Sequence, residues 1–123
     1  MGAIEEAEGY ARLRMWQEAW EILESMPIDE TANRRCWSAR LMCCVGLGRW
    51  TLGEVMAEFL REGDENDRAL AACFYHDHAA FLYHEGLADR ARDALRRSIH
   101  IRPEEGLAIS EDSRFPAGFY RIE

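Results

Sequence analysis

The chain has 123 residues, 48% of them hydrophobic and 31% charged, with a formal net charge of −8. This is the composition of a globular chain of one domain, long enough to bury about two-thirds of its unfolded surface. All fifteen cations are arginine, so phosphate-loop or Schiff-base chemistry that needs a lysine is excluded, and the acidic balance disfavours nucleic acid or anionic lipid as a partner.

The first ten residues, MGAIEEAEGY, are acidic and lack the basic start and apolar centre of a secretory signal. No uninterrupted apolar run reaches the roughly 18 residues of a membrane span. No membrane association and a cytoplasmic location are therefore expected. From there the chain reads as helix after helix. Apolar residues at helical spacing predict helices near 3–13, 16–26, 31–46, 50–62, 66–85 and 87–101. The breaks between them are Pro27 with Asp29 and Glu30, Gly46 with Gly48, the polar run Arg61–Asp67, Gly86 and Pro103. Thr31 stands where a cap for the third helix belongs. No alternating strand pattern occurs. After Pro103 the tail carries Leu107, Ile109, Phe115, Phe119 and Tyr120 among glycines and a proline, which predicts a short helix or turn followed by an extended segment.

One pattern recurs. LRMWQEAWEILESM aligns without a gap to LGRWTLGEVMAEFL, so that Trp16 matches Trp50 and Ala19 matches Gly53, each pair 34 residues apart; EGLADRARDALRRSI is a third copy, with Ala88 and Ala91 in those places. A glycine inside a helix costs about 1 kcal/mol relative to alanine. Its alignment with two alanines identifies the position as one where paired helices approach closely, with Leu41 as the bulky residue opposite; a local helix break at Gly53 is the alternative. Trp16 and Trp50 are read as wedges packed over the start of each second helix.

A period near 34 residues with two helices per period resembles the tetratricopeptide repeat. The third unit matches best, through Ala79, Leu82, Tyr83, Gly86, Ala91, Leu95 and Pro103, the second through Trp37, Gly48, Trp50, Gly53 and Leu60, and the first through Ala7, Tyr10, Trp16, Ala19, Leu23 and Met26. Arg14 replaces the turn glycine of the first unit, Leu41 a small residue of the second, Ser98 an alanine of the third, and His78 a leucine. The resemblance implies an all-α fold: a right-handed superhelical stack of three helix–turn–helix repeats over residues 1–30, 31–66 and 67–103. Residues 104–123 form a C-terminal capping segment that either covers its own stack or docks on a neighbour.

CFYHDHAAFLYH is the stretch that looks most chemical. His76 and His78 point about 200° apart on a helix and cannot share one ion. Cys73 and His76 share a face, but no loop supplies the oxyanion hole or third group that a Cys–His nucleophile needs. His78 is read as a core histidine. Cys36, Cys43, Cys44 and Cys73 lack the close-pair spacing of structural zinc sites and lie in helical runs, where reduced, buried thiols are expected. No enzyme activity, cofactor or metal is assigned.

Stacked repeats of this kind present a concave surface lined by the first helix of each unit. Helical spacing places Arg35, Ser38, Met42 and Val45 on one stripe and Cys73, His76, Ala80, Tyr83 and His84 on the next, with Ile4 and Glu8 in the first unit. The positions at which some family members clamp a terminal carboxylate hold Ile4, Glu8, Ala39, Cys73 and Asp77, none of them cationic. The reading is an adaptor that binds a protein or peptide partner in this groove, with Met42 and Tyr83 as anchors. Two alternatives remain. Residues 1–31 carry two arginines against eight carboxylates, a net −6, and residues 87–102 carry five arginines against two aspartates, a net +3; a homo-oligomer joined through these ends is one. A small chaperone for a secreted partner is the other.

Overall fold

The computed structural model describes residues 2–27 and 34–121. Among them every regular element is helical: α1 (Ala3–Arg12), α2 (Trp16–Ser25), α3 (Arg34–Leu47), α4 (Trp50–Leu60), α5 (Glu65–His84), α6 (Ala88–Ile101), α7 (Glu105–Ser110) and a 3-10 turn at Phe119–Arg121. None of these helices is long and apolar enough to cross a membrane. The six long helices fall where sequence periodicity puts them. The expected cap at Thr31 lies outside the described residues. Beyond α7 the tail closes in a 3-10 turn where an extended segment is expected.

The chain divides into two compact units, Met1–Met56 and Ala57–Glu123, with α4 beginning in the first and ending in the second. In the first unit α1 packs on α2, and α3 packs on both. Its buried residues are small or apolar: Ala7, Ala11, Ala19, Trp20, Leu23, Cys36, Ala39, Leu41, Cys43 and Cys44. Arg40 holds the end of α2, donating from Nη2 to the carbonyl of Leu23 at 3.0 Å and from Nη1 to Glu24 at 2.9 Å. This adds a second donor to the Leu23 carbonyl, in the last turn where carbonyls lack the regular helical partner. Arg40 and Arg49 also lie over the Trp20 ring, at 5.6 and 4.8 Å from its centroid, a cation–π arrangement.

In the second unit α5 and α6 pair along their lengths, and α7 packs on both. Asp64 starts α5 with a reciprocal cap: its carboxylate accepts from the Asp67 amide at 3.0 Å, while Asp67 accepts from the Asp64 amide at 3.3 Å. The cap sets the first helical residue at Glu65. Ser98 is fully buried on α6 and donates to the Ala72 carbonyl of α5 at 2.7 Å. A hydroxyl at this alanine-like position is thereby satisfied.

The three connections α1–α2, α3–α4 and α5–α6 share one backbone geometry. Each has a single residue at positive φ: Arg14 at 61°, Gly48 at 70° and Gly86 at 81°. Each of these donates to the carbonyl three residues back, Arg14 to Ala11, Gly48 to Val45 and Gly86 to Tyr83. The following residue donates five back, Met15 to Tyr10, Arg49 to Cys44 and Leu87 to Leu82, at 2.9, 2.8 and 2.9 Å. This is the double hydrogen bond of the Schellman motif, whose left-handed residue is normally glycine because it has no Cβ to crowd the backbone.

Burial follows the same register. The residue seven before the left-handed position is buried in every case (Ala7, Leu41, Ala79), as are those five after (Ala19, Gly53, Ala91) and nine after (Leu23, Ala57, Leu95). Gly53 sits within continuous helix, its amide bonded to the Arg49 carbonyl at 3.0 Å, so α4 does not break there. A close approach that a missing Cβ permits is visible at Gly46: a Cβ there would lie 2.3 Å from two atoms of the Trp16 indole. Trp16 thus lies flat on the last turn of α3.

Candidate functional site

The ten residues on the first-helix stripes have different fates. In the first unit Glu8 and Arg35 face each other across α1 and α3. The Arg35 guanidinium grips Glu8 with both Nε and Nη2 and reaches Glu5 at 3.5 Å. The carboxylates hold the Arg35 pKa above its usual value, the Glu8 hydrogen bond foremost. Ser38 and Val45 are half-buried, and Met42 is 43% exposed. Arg35, Met42 and their neighbours form the open part of the stripe.

On α5 the stripe is covered by the chain's own tail. Ala80 and Tyr83 pack against the cluster that holds Ile109, Phe115 and Phe119. The Tyr83 ring meets Phe119 edge-on at 4.8 Å and Phe115 at 5.8 Å, and the two phenylalanines stack at 5.5 Å. Arg92 of α6 closes the other side, donating to the Phe119 carbonyl at 3.0 Å with its guanidinium 4.5 Å from that ring's centroid. Tyr83, expected to stand free of the core, is therefore an internal contact. His84 is exposed.

His76 is the chemical centre of this contact. It is 8% exposed, and each ring nitrogen meets a tail carboxylate: Nδ1 to Glu105 at 2.9 Å and Nε2 to Asp112 at 2.7 Å. Glu105 is itself 5% exposed and lies 3.7 Å from Arg102. Asp112 is gripped by Arg114 at 2.7 Å, and Arg114 also reaches Asp77 at 3.3 Å. The guanidinium first, and the His76 hydrogen bond after it, hold the Asp112 carboxyl down at about 2. The buried histidine is thus His76; His78, expected in the core, is half-buried and lies against Phe74 and Phe81.

The two carboxylates approach opposite edges of one imidazole, so they cannot close on a single ion with it. Among the described residues no group of three or more His, Cys, Asp and Glu side chains is arranged to hold a metal. Cys36, Cys43 and Cys44 are buried and in no disulfide, whereas Cys73 departs from expectation and is exposed. Its sulfur lies 3.9 Å from Glu105, and surrounding protein together with the Glu105 and Asp77 carboxylates pushes the thiol up to about 11. Burial pushes Cys43 up to about 11 as well.

The helical phase of α5 places His76 and Tyr83 on one stripe. Their partners, 29 to 36 residues away in the tail, carry no local sequence signal. The hint available was the coincidence of a tail rich in carboxylate and phenylalanine with a stripe containing histidine and tyrosine. Comparison with known protein families, curated proteins and solved structures returns no match.

Proposed function

We propose that this chain is a non-catalytic protein-interaction module of tetratricopeptide type. Its three helical hairpins stack as a right-handed superhelix, the tail covers the last hairpin, and the first-helix stripe receives a peptide or helix from a partner protein. The observation that carries the reading is the threefold recurrence of one turn, with a left-handed residue at 14, 48 and 86 and the same two hydrogen bonds each time. A repeated unit with a shared burial register is what a stacked array is built from. The tail supports the capping role, because α7 touches both α5 and α6 as α3 touches both α1 and α2.

The titratable groups favour binding over catalysis. The one exposed cysteine has a thiol raised to about 11, the opposite of the shift that activates a nucleophile. Joining of the acidic and basic ends is less favoured, because Glu5 and Glu8 are engaged by Arg35, and Arg92 and Arg96 by Asp89 and Asp93.

The test uses the α3 part of the stripe. Met42→Ser combined with Val45→Ser should abolish capture of the native partner while the far-UV spectrum stays helical. Undiminished capture by the folded double variant would remove the stripe from the account.

A further inference from the structure

Resting on the interaction reading above, we infer that the α5–α6 face covered by residues 104–121 is itself a peptide-binding site, and that the tail is its resident, displaceable ligand. The partner segment it fits carries the tail's own chemistry: two carboxylates seven residues apart, then two aromatic residues four apart.

The tail is held as a bound peptide is held. Of its residues, Glu105, Ile109, Phe115 and Phe119 are the buried ones. Between these anchors most side chains are exposed, Asp112 apart, and its regular structure amounts to one six-residue helix and one 3-10 turn. A few deep anchors separated by solvated connections is the pattern by which peptides occupy grooves. Segments with little regular structure and few buried contacts also open at lower free energy than the body of a domain.

The receiving surface is selective. Each ring nitrogen of His76 meets one of the two carboxylates. Tyr83 and Arg92 form a socket for the second aromatic ring, where Arg92 contributes both a stacking guanidinium and a hydrogen bond to the ligand's backbone carbonyl. Arg102, on the body side of Pro103 and also held by Glu65 of α5 at 3.2 Å, lies 3.7 Å from the first carboxylate and stays behind when the tail leaves. Acidic groups at the two positions and rings at the other two are therefore what the face reads. A basic or aliphatic segment would leave His76 without its two carboxylate partners and Tyr83 without a ring.

The experiment uses the full chain and a fluorescent synthetic peptide with the sequence of residues 104–121, followed by anisotropy. Phe115→Ala with Phe119→Ala in the protein frees the face without touching it. This variant should bind the peptide about tenfold or more tighter than wild type, whose own tail competes for the face. Adding Tyr83→Ala to the variant should return binding to the wild-type level, and a peptide with both phenylalanines replaced by alanine should not bind. A helical, cooperatively melting variant that ignores the peptide overturns the proposal, as does equal binding of the alanine peptide. Loss of the cooperative fold in the Phe115/Phe119 variant also overturns it, because the tail is then core and not ligand. In wild type, amide exchange of residues 107–119 should be faster than that of α5 and α6; exchange only through global unfolding refutes displacement. None of these outcomes depends on the Met42–Val45 surface, so the interaction reading can stand when this inference falls.

Discussion

Arg14 occupies a left-handed position that glycine fills in the other two hairpins, and replacing it should stabilise the protein. Its φ of 61° matches 70° at Gly48 and 81° at Gly86. An L-residue with a Cβ loses about 1–2 kcal/mol in this conformation. Arg14→Gly removes that strain and gives back part of it, about 0.5–1 kcal/mol, because glycine is freer in the unfolded chain. The net gain expected is about 0.5–1 kcal/mol, or a rise in Tm of roughly 2–5 °C for a chain of this size. The reciprocal change supplies the control. A Cβ built on Gly86 meets nothing within 4 Å, so Gly86→Ala should cost about 0.5–1 kcal/mol, its backbone strain less the gain from a stiffer unfolded chain. Urea titrations with unchanged m-values would show that the folded state is the one affected. If Arg14→Gly lowers the midpoint, or Gly86→Ala leaves it unmoved, the three turns are not energetically equivalent and the repeat argument weakens with them.

Gly46→Ala should destabilise by about 1–3 kcal/mol, since its Cβ would sit 2.3 Å from the rigid Trp16 ring; Gly9→Ala, with nothing within 4 Å of its Cβ, should instead gain up to about 1 kcal/mol from helix propensity, and calorimetry of the pair decides. Asp112, held down at about 2 from an ordinary 3.8, contributes stability that is fully present above its unfolded pKa and is lost as pH falls through its folded one. Chemical denaturation should therefore show roughly 2 kcal/mol disappearing between about pH 4 and pH 2 in the wild type and not in Asp112→Asn, and parallel curves would refute the assignment. Cys73, exposed but raised to about 11 from 9.0, should react with iodoacetamide at about pH 8 roughly 100-fold more slowly than an ordinary thiol, yet before the three buried cysteines; mass spectrometry of the labelled sites would expose a rate equal to that of a free thiol.

How far the sequence carries can be judged residue by residue. The helices were legible because each carries its own period and its own breakers. The small positions Ala19, Gly53 and Ala91 were legible because three copies state the same constraint. Arg14 stood out as a departure from glycine, and its positive φ shows that the turn, not the residue type, is what the repeat preserves. The partners of His76 and Tyr83 were not legible. Helical phase tells which side of α5 these residues occupy, but not that Glu105, Asp112, Phe115 and Phe119 fold back over them. That depends on the path taken after Pro103, which no local propensity specifies. The exchange of roles between His76 and His78 has the same origin: burial of His76 comes from the tail, not from the α5–α6 contact that the period encodes. The pairing of Glu8 with Arg35, 27 residues apart, was likewise invisible to charge counts that place one residue in an acidic block and ignore the arginine facing it.

The central claim, that the first-helix stripe is the surface offered to a partner protein, is tested most directly by hydroxyl-radical footprinting of the full chain alone and with its captured partner. Met42, exposed on α3, should lose most of its oxidation in the complex, while Leu107 and Val55, both exposed and off the stripe, keep theirs. Protection of Val55 or Leu107 with Met42 unchanged would place the partner elsewhere on the molecule and contradict the account.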